Sequence, residues 1–299
     1  MRQKLIFSLF LLALLAPVLP LLGKHSKPAP EKYYVNMHLG GRLGNQMFQI
    51  AAALSLAKDC GALALFPDLA NRSADDLNLN YQHFFSSLNT ASPPIPATYV
   101  FEEHPHFCFA PIPCRGNTEI FGYFQSEKYF KHNKEMICNT FAPSSQITSY
   151  LTETYRDLLN HPNTVAIHLR AYKLESLEIE RCFPFLDGQF YMRAAEMFFP
   201  EEALFVIFSD QIEWAKKELA GFTRPHIFIE NEPHYHDFYL MSFCKHQIIS
   251  PSSFSWWAAY LNKNPDKIVV APDPWFSPIS GHDSSSVIPP EWHKLSWMY

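Results

Sequence analysis

Three short stretches of this chain set cationic, carboxylate and hydroxyl side chains where a phosphate ester can be held. His168 and Arg170 lie at the end of the apolar run 164–169, Ser209 and Asp210 follow the run 204–208, and Ser252, Ser253, Phe254 and Ser255 precede a cluster of aromatic residues. An arginine fork matches phosphate geometry and keeps its charge, while serines ahead of a helix place hydroxyls beside N–H groups that have no partner within the helix. Asp210 can accept from the N–H edge of guanine or from ribose hydroxyls, and Phe254 can stack on a base. Together these residues suit a nucleotide diphosphate. Each also has a simpler reading: Ser253 as a helix cap, Ser209 and Asp210 as caps of the next helix, Phe254 with Trp256 and Trp257 as core, and His168 as a satisfied buried histidine.

A second stretch, Gly40-Gly41-Arg42-Leu43-Gly44-Asn45-Gln46, lies between the apolar run 33–39 and a helical pattern over 45–60. It reads as a strand, a tight turn and a helix N-terminus, where backbone and short polar side chains can approach a phosphate or a sugar. Its spacing is not the dinucleotide fingerprint, so a turn that only packs is the simpler reading of these residues alone. No Asp-x-Asp triplet occurs, so the paired-carboxylate route to a Mg²⁺ or Mn²⁺ diphosphate has no signature. A departing phosphate would then need cationic side chains and backbone donors. Nucleophile elbows and Walker-type loops are missing too.

The elements that must position these residues alternate. Residues 33–66 read as strand, helix and strand; 144–159 reads as a helix; 71–140, rich in Pro, His and aromatic residues, has little periodicity. From 164 onward strands over 164–169, 204–208, 226–229, 247–249 and 267–271, the last strand, alternate with helices over 189–199, 211–219, 234–243 and 254–261. The pattern predicts an α/β fold with a parallel sheet covered on both faces, and ligands gather beyond the carboxyl ends of such strands. Asp273 is a further carboxylate at one of those ends.

At 299 residues and 47% hydrophobic content the chain can bury a large core, and a net charge of −5 without Lys or Arg blocks gives no footprint of a nucleic-acid binder. Arg2 and Lys4 precede eighteen uncharged residues, 5–22, roughly 27 Å of helix and enough to reach across a bilayer. The expectation is a signal-anchor over 1–22 and a stem over 23–32, with the body held at a Golgi membrane or a bacterial inner membrane; a cleaved signal peptide and secretion is the rival. The six cysteines lack metal-ligand spacing, and Cys108 with Cys114 is the expected disulfide if the body lies outside the cytosol. Asn71-Arg72-Ser73 is a glycosylation acceptor consistent with that compartment.

With these residues in place, residues 35–299 resemble the alpha-1,2-fucosyltransferases of glycosyltransferase family 11. The resemblance is carried by Gly41-Arg42-Leu43-Gly44-Asn45-Gln46-Met47-Phe48-Gln49, His168-Leu169-Arg170, Phe208-Ser209-Asp210, the segment 241–249, Ser252-Ser253-Phe254-Ser255-Trp256-Trp257-Ala258-Ala259 and Ile288-Pro289-Pro290-Glu291-Trp292. It implies two Rossmann-like halves in a GT-B-like arrangement, an acceptor-side half over 33–160 and a nucleotide-sugar half over 161–299. The implied reaction is metal-independent, inverting transfer of L-fucose from GDP-fucose to a terminal galactose of a glycan, with no cofactor. Arg170 would hold the pyrophosphate and His168 would help seat the nucleotide. Asp210 would contact guanine or ribose, and Ser252, Ser253 and Phe254 would line the pocket. By similarity to protein O-fucosyltransferases with the same glycine-Asn-Gln turn, Asn45 would reach the fucose or the bond being broken.

Departures from the family pattern are specific. Ala171-Tyr172-Lys173 stands where a second Arg and an Asp are usual, Gln211 replaces an acidic residue, and Pro251 replaces an Asn. They keep open a degenerate relative that binds a nucleotide or glycan without turnover, and an enzyme with another donor or linkage. Glu175 and Glu178, just past Arg170, are the candidate general bases.

Overall fold

In the computed structural model, which describes residues 32–70, 80–172 and 177–298, the chain builds two parallel sheets. Four consecutive buried residues, Tyr34–Met37, form β1, and Leu43–Asp59 forms α1 before the chain returns in Leu63–Leu65, β2. Helix α1 is apolar on nearly every face, from Met47 and Phe48 through its alanine run, as a helix is when it packs on both sides. Tyr99–Glu102 (β3) and Thr118–Phe121 (β4) come from the stretch that showed no periodicity and complete the sheet in the order β2-β1-β4-β3. Three short helices follow: Lys134–Thr140 (α2), Ser145–Thr154 (α3) and Arg156–Asn160 (α4). The single helix expected over 144–159 is thus two, interrupted at Tyr155, whose hydroxyl donates to Glu232 at 2.7 Å.

The second sheet is centred on Thr164–Leu169 (β5), six residues all buried, as a strand covered on both faces must be. Leu177–Cys182 (α5) and Gly188–Phe198 (α6) precede Leu204–Ser209 (β6), and Ile212–Glu218 (α7) precedes His226–Phe228 (β7). His234–Phe243 (α8), His246–Ile248 (β8), Ser253–Leu261 (α9) and Val269–Asp273 (β9) continue the alternation. One strand was not expected: His293–Ser296 (β10) pairs in parallel with β9, so 267–271 is not the last. It carries one buried residue, Leu295, at the sheet's edge, too little apolar surface for a sequence signal.

Strand order fixes where a ligand can sit. In the order β10-β9-β8-β5-β6-β7 the chain winds outward from β5 in one direction through β6 and β7, then resumes beside β5 at β8 and winds the other way. Crossovers leave a crevice at the carboxyl ends of such a strand pair. The first sheet has its own reversal between β1 and β4. The glycine turn follows β1, Gln125 follows β4, His168 and Arg170 end β5, and Ser250 to Phe254 follow β8.

A shared core holds these edges together. Phe48 of α1 packs on Trp256 and Trp257 of α9 with ring centroids 4.4 and 5.0 Å apart, and both tryptophans are fully buried. Burial of rings that size contributes on the order of 4 kcal/mol each. A second cluster, including Val165, Ile167, Phe190, Phe205 and Ile207, covers the other face of the second sheet. The disulfide joins Cys60 to Cys114, not Cys108 to Cys114, and ties the end of α1 to the loop before β4 across a Cα separation of 5.5 Å. Cys108 instead points its thiol at Asp283.

The expected anchor, the expected stem up to Glu31, the Asn71 acceptor, Lys173 and Glu175 lie outside the described residues, as does the side chain of Glu178. Among the described residues no helix is long and apolar enough to cross a membrane, and no group of three or more His, Cys, Asp and Glu side chains is arranged to hold a metal.

Candidate functional site

Adjacent strand ends assemble one wall of the site. β5 and β8 are in register from Val165 opposite His246 to Ile167 opposite Ile248, so His168 and Ser250 emerge side by side, with Ser250 Oγ 3.0 Å from His168 Nδ1. His168 is 5% exposed, and burial, assisted by the charge of Arg170, pushes its pKa down to about 3. At neutral pH it is an uncharged imidazole, able to donate one hydrogen bond and accept another. The ring of Phe254 lies 5.7 Å away and also meets Phe238 of α8 edge-on at 5.3 Å.

Arg170 is fixed from two sides. Its Nη1 donates to Asp210 Oδ2 at 2.6 Å, and its guanidinium lies 5.3 Å from the centre of the Tyr172 ring. Asp210 also accepts from the Ala171 backbone N–H at 3.2 Å. Tyr172 in turn donates to the Pro251 carbonyl at 3.1 Å and stacks on Phe183 at 4.5 Å. The cation is therefore pre-oriented by the Asp210 carboxylate and the Tyr172 ring. Ala171, where the family pattern has a second arginine, is 1% exposed and packs inside.

Helix α9 begins at the same edge. Its N-cap is Ser252, whose backbone is extended and whose side chain makes no capping bond. The first-turn N–H groups have no acceptor within the helix and present partial positive charge. Ser253 is not the cap: its hydroxyl donates to Asn45 Oδ1 at 2.9 Å, joining α9 to the glycine turn. Ser209, in contrast, does make a local turn, accepting from the Gln211 N–H at 3.0 Å.

The glycine turn forms the facing wall, and its glycines have separate jobs. Gly41 takes a positive φ of 73°, and a Cβ there would fall 2.3 Å from Asn45 Nδ2. A Cβ on Gly44 would lie 2.5 Å from the Ser253 carbonyl carbon and 2.6 Å from the Phe254 nitrogen. Helices α1 and α9 can approach this closely only over a glycine. Asn45 Oδ1 accepts twice, from Ser253 Oγ and from Gln125 Nε2, both at 2.9 Å. In this arrangement the amide oxygen faces both of these groups. The Nδ2 end is left as a donor over the turn, with no hydrogen bond among the described residues.

The structure therefore brings Asn45 and Ser253 into direct contact, and places His168, Arg170, Asp210, Ser252 and Phe254 along the same carboxyl edge. Asp273 ends β9 and contacts none of these residues by hydrogen bond. Sequence reasoning missed Gln125, Ser250 and Tyr172, which orient Asn45, His168 and Arg170. It also missed Asp237 in the first turn of α8, whose Oδ1 is buried with no hydrogen-bond partner among the described residues.

The model of Glycosyl transferase family 11 matches residues 3–296. An alpha-1,2-colitosyltransferase of Escherichia coli is 34% identical over 54% of this chain and 57% of its own length. The O-antigen biosynthesis glycosyltransferase WbnK of Escherichia coli is 26% identical over 86% of this chain and 99% of its own. A galactoside alpha-(1,2)-fucosyltransferase 1 of Ateles belzebuth is 25% identical over 74% and 63%. The chain thus spans less than two thirds of the first and third of these relatives. Among solved structures, the alpha-1,6-fucosyltransferase NodZ from Bradyrhizobium, co-crystallized with GDP, superposes with a TM-score of 0.52 over 76% of this chain and 92% of that one, at 13% identity. This likeness is one of fold.

Proposed function

We propose that this chain, which belongs to glycosyltransferase family 11, transfers L-fucose from GDP-fucose to the 2-hydroxyl of a terminal galactose, with inversion and without a metal. One observation carries the reading: Asn45 of the glycine turn, hydrogen-bonded to the first residue of α9, offers a fixed amide donor beside an edge that also presents Arg170 and free helix N–H groups. An amide donor facing a cation and backbone N–H groups suits a sugar esterified to a pyrophosphate.

The residues then have separate tasks. The Arg170 fork and the first-turn N–H groups of α9 take the pyrophosphate, with Ser252 and Ser253 hydroxyls beside them. Asp210 holds the fork in one orientation and keeps lone pairs for ribose or guanine. Neutral His168 donates or accepts without adding charge, and Phe254 offers a ring to the base. The acceptor oxygen attacks the anomeric carbon as the bond from that carbon to the β-phosphate oxygen breaks, and the bonding pair leaves with GDP. Arg170 offsets the charge that develops, and the Asn45 amide donates toward the departing oxygen. The acceptor's proton passes to a carboxylate, for which Glu175 and Glu178 are the candidates.

A second reading has the same site and another donor, and the 34% identity to an alpha-1,2-colitosyltransferase favours it specifically. Calorimetry in the presence of EDTA with GDP, GDP-fucose, GDP-mannose and UDP-galactose separates the two. The expected order places GDP and GDP-fucose together and UDP-galactose weaker by about a hundredfold, since a polar site rejects a base that leaves its groups unpaired. Equal affinity for UDP-galactose would overturn the guanine-nucleotide assignment, turnover of another of these donors in place of GDP-fucose would make the second reading the better one, and binding of GDP-fucose with no donor turned over would point to the relative that binds without turnover.

A further inference from the structure

Glu103 has no exposed surface, and a buried carboxylate is costly unless it is fully hydrogen-bonded. It sits one residue past β3, and its backbone N–H donates to the Phe121 carbonyl at 2.8 Å. Its Oε2 accepts from two successive backbone N–H groups, Tyr123 at 2.9 Å and Phe124 at 3.0 Å, while Tyr129 donates to Oε1 at 3.4 Å. His106 Nδ1 lies 4.0 Å away.

The backbone so gripped is an unfavourable one. Gly122 has φ of 147°, and a Cβ there would lie 2.5 Å from the Cβ of Glu103. Phe124 has φ of 52°, a left-handed conformation that is unfavourable for a bulky residue and persists only where its neighbours impose it. Apolar contacts could bury this loop, but one oxygen accepting two successive N–H groups also fixes the direction in which the turn emerges. The next residue is Gln125, 5% exposed, and its Nε2 is one of the two donors on Asn45 Oδ1. Gln49 Nε2 ties α1 to the same loop through the Gly122 carbonyl at 2.9 Å.

We propose that Glu103 is a positioning residue for transfer: it holds the 122–125 loop, the loop aims Gln125, and Gln125 orients the Asn45 amide toward the donor. The inference rests on the role given above to Asn45. It assigns the far end of the first sheet a part in the chemistry that no contact with the substrate would reveal.

The test uses the full-length protein with Glu103→Gln and Gln125→Ala, each alone and combined with Asn45→Ala. The side-chain amide resonance of Asn45, identified by its loss in Asn45→Ala, reads orientation without needing any donor. Turnover of GDP-fucose and calorimetric affinity for GDP are measured alongside. Both variants should shift or broaden the Asn45 amide and lower turnover by about a hundredfold, while GDP affinity stays within about twofold. In the Asn45→Ala background neither should cost anything more, because the interaction they support is already gone. An unmoved Asn45 amide, or losses that multiply with Asn45→Ala, would overturn the proposal. Should Glu103→Gln not fold, Gln125→Ala breaks the same chain of contacts and leaves the carboxylate in place. If Asn45→Ala turns over like the wild type, the role given to Asn45 has failed, and the amide resonance still decides whether Glu103 positions it.

Discussion

Single residues here are defined by partners far away in sequence. Asn45 receives its two donors from Gln125, 80 residues on, and Ser253, 208 residues on, so its orientation could not be read from the glycine turn itself. What was legible was the residue type: an Asn opening a helix beside glycines, and an Arg and serines at strand ends. Asp237 shows the opposite case, since nothing in the sequence marks it. Burial pushes its pKa up to about 8, and the charge of Glu232 adds to the effect. Glu232 itself is pushed up by burial but brought below its usual value by hydrogen bonds from Tyr155, His236 and Tyr150. Between the ordinary Asp value of 3.8 and about 8, the native protein keeps a proton on Asp237 that the unfolded chain has released, so stability falls as pH rises through that window. Glu232 acts in the opposite sense and only at the acid end, its stabilisation being lost as pH falls below the usual 4.5. Neutral His168, its pKa held below the ordinary 6.5, makes stability rise with pH up to about that value, so Asp237 is read above it: the Tm of the wild type should fall relative to that of Asp237→Asn from about pH 6.5 to about pH 8, with roughly 2–4 °C gained at the alkaline end per kcal/mol recovered. Parallel Tm profiles of the two proteins across that window would show that Asp237 is ionised throughout.

At the scale of elements, the junction of α1 and α9 carries the site, and Gly44 sets its closeness. Gly44→Ala puts a methyl against the Ser253 and Phe254 backbone, which cannot swing aside as a flexible side chain would. The expected cost is about 1–3 kcal/mol of stability, together with a loss of turnover as Ser253 and Asn45 separate. Gly221, with nothing within 4 Å of an added Cβ, is the control, and Gly221→Ala should change neither quantity. Equal Tm and turnover in both variants would mean that the junction tolerates a wider spacing. The elements most legible in the sequence were those with strong patterns, β5 and α1 among them, because a continuous apolar strand and a long helix bury themselves against any neighbour. Strands β3 and β4 were not legible: β3 alternates half-buried and exposed residues and β4 buried and half-buried ones, each over only four positions, inside a region dense in proline and histidine. The split between α3 and α4 was hidden for another reason: no Gly or Pro marks it, and Tyr155 at the break sends its hydroxyl to Glu232 in another part of the chain.

Across the whole molecule, two parallel sheets turn the carboxyl ends of their reversal points to a common site. The reversal between β5 and β8 supplies His168, Arg170 and the start of α9, and the reversal between β1 and β4 supplies Asn45 and Gln125. The Cys60–Cys114 disulfide fastens the first sheet behind that edge, a pairing invisible to spacing because its 54-residue separation is closed by the βαβ fold itself. Transfer of fucose from a guanine nucleotide is the reaction proposed for this paired edge. Its most direct measurement is transfer of label from GDP-fucose to a panel of galactosides by the full-length protein in the presence of EDTA, with the linkage of the product read by NMR. Product carrying fucose on the galactose 2-hydroxyl, and none from Arg170→Ala, is the predicted result. Absence of any labelled product, or undiminished transfer by Arg170→Ala, would contradict it.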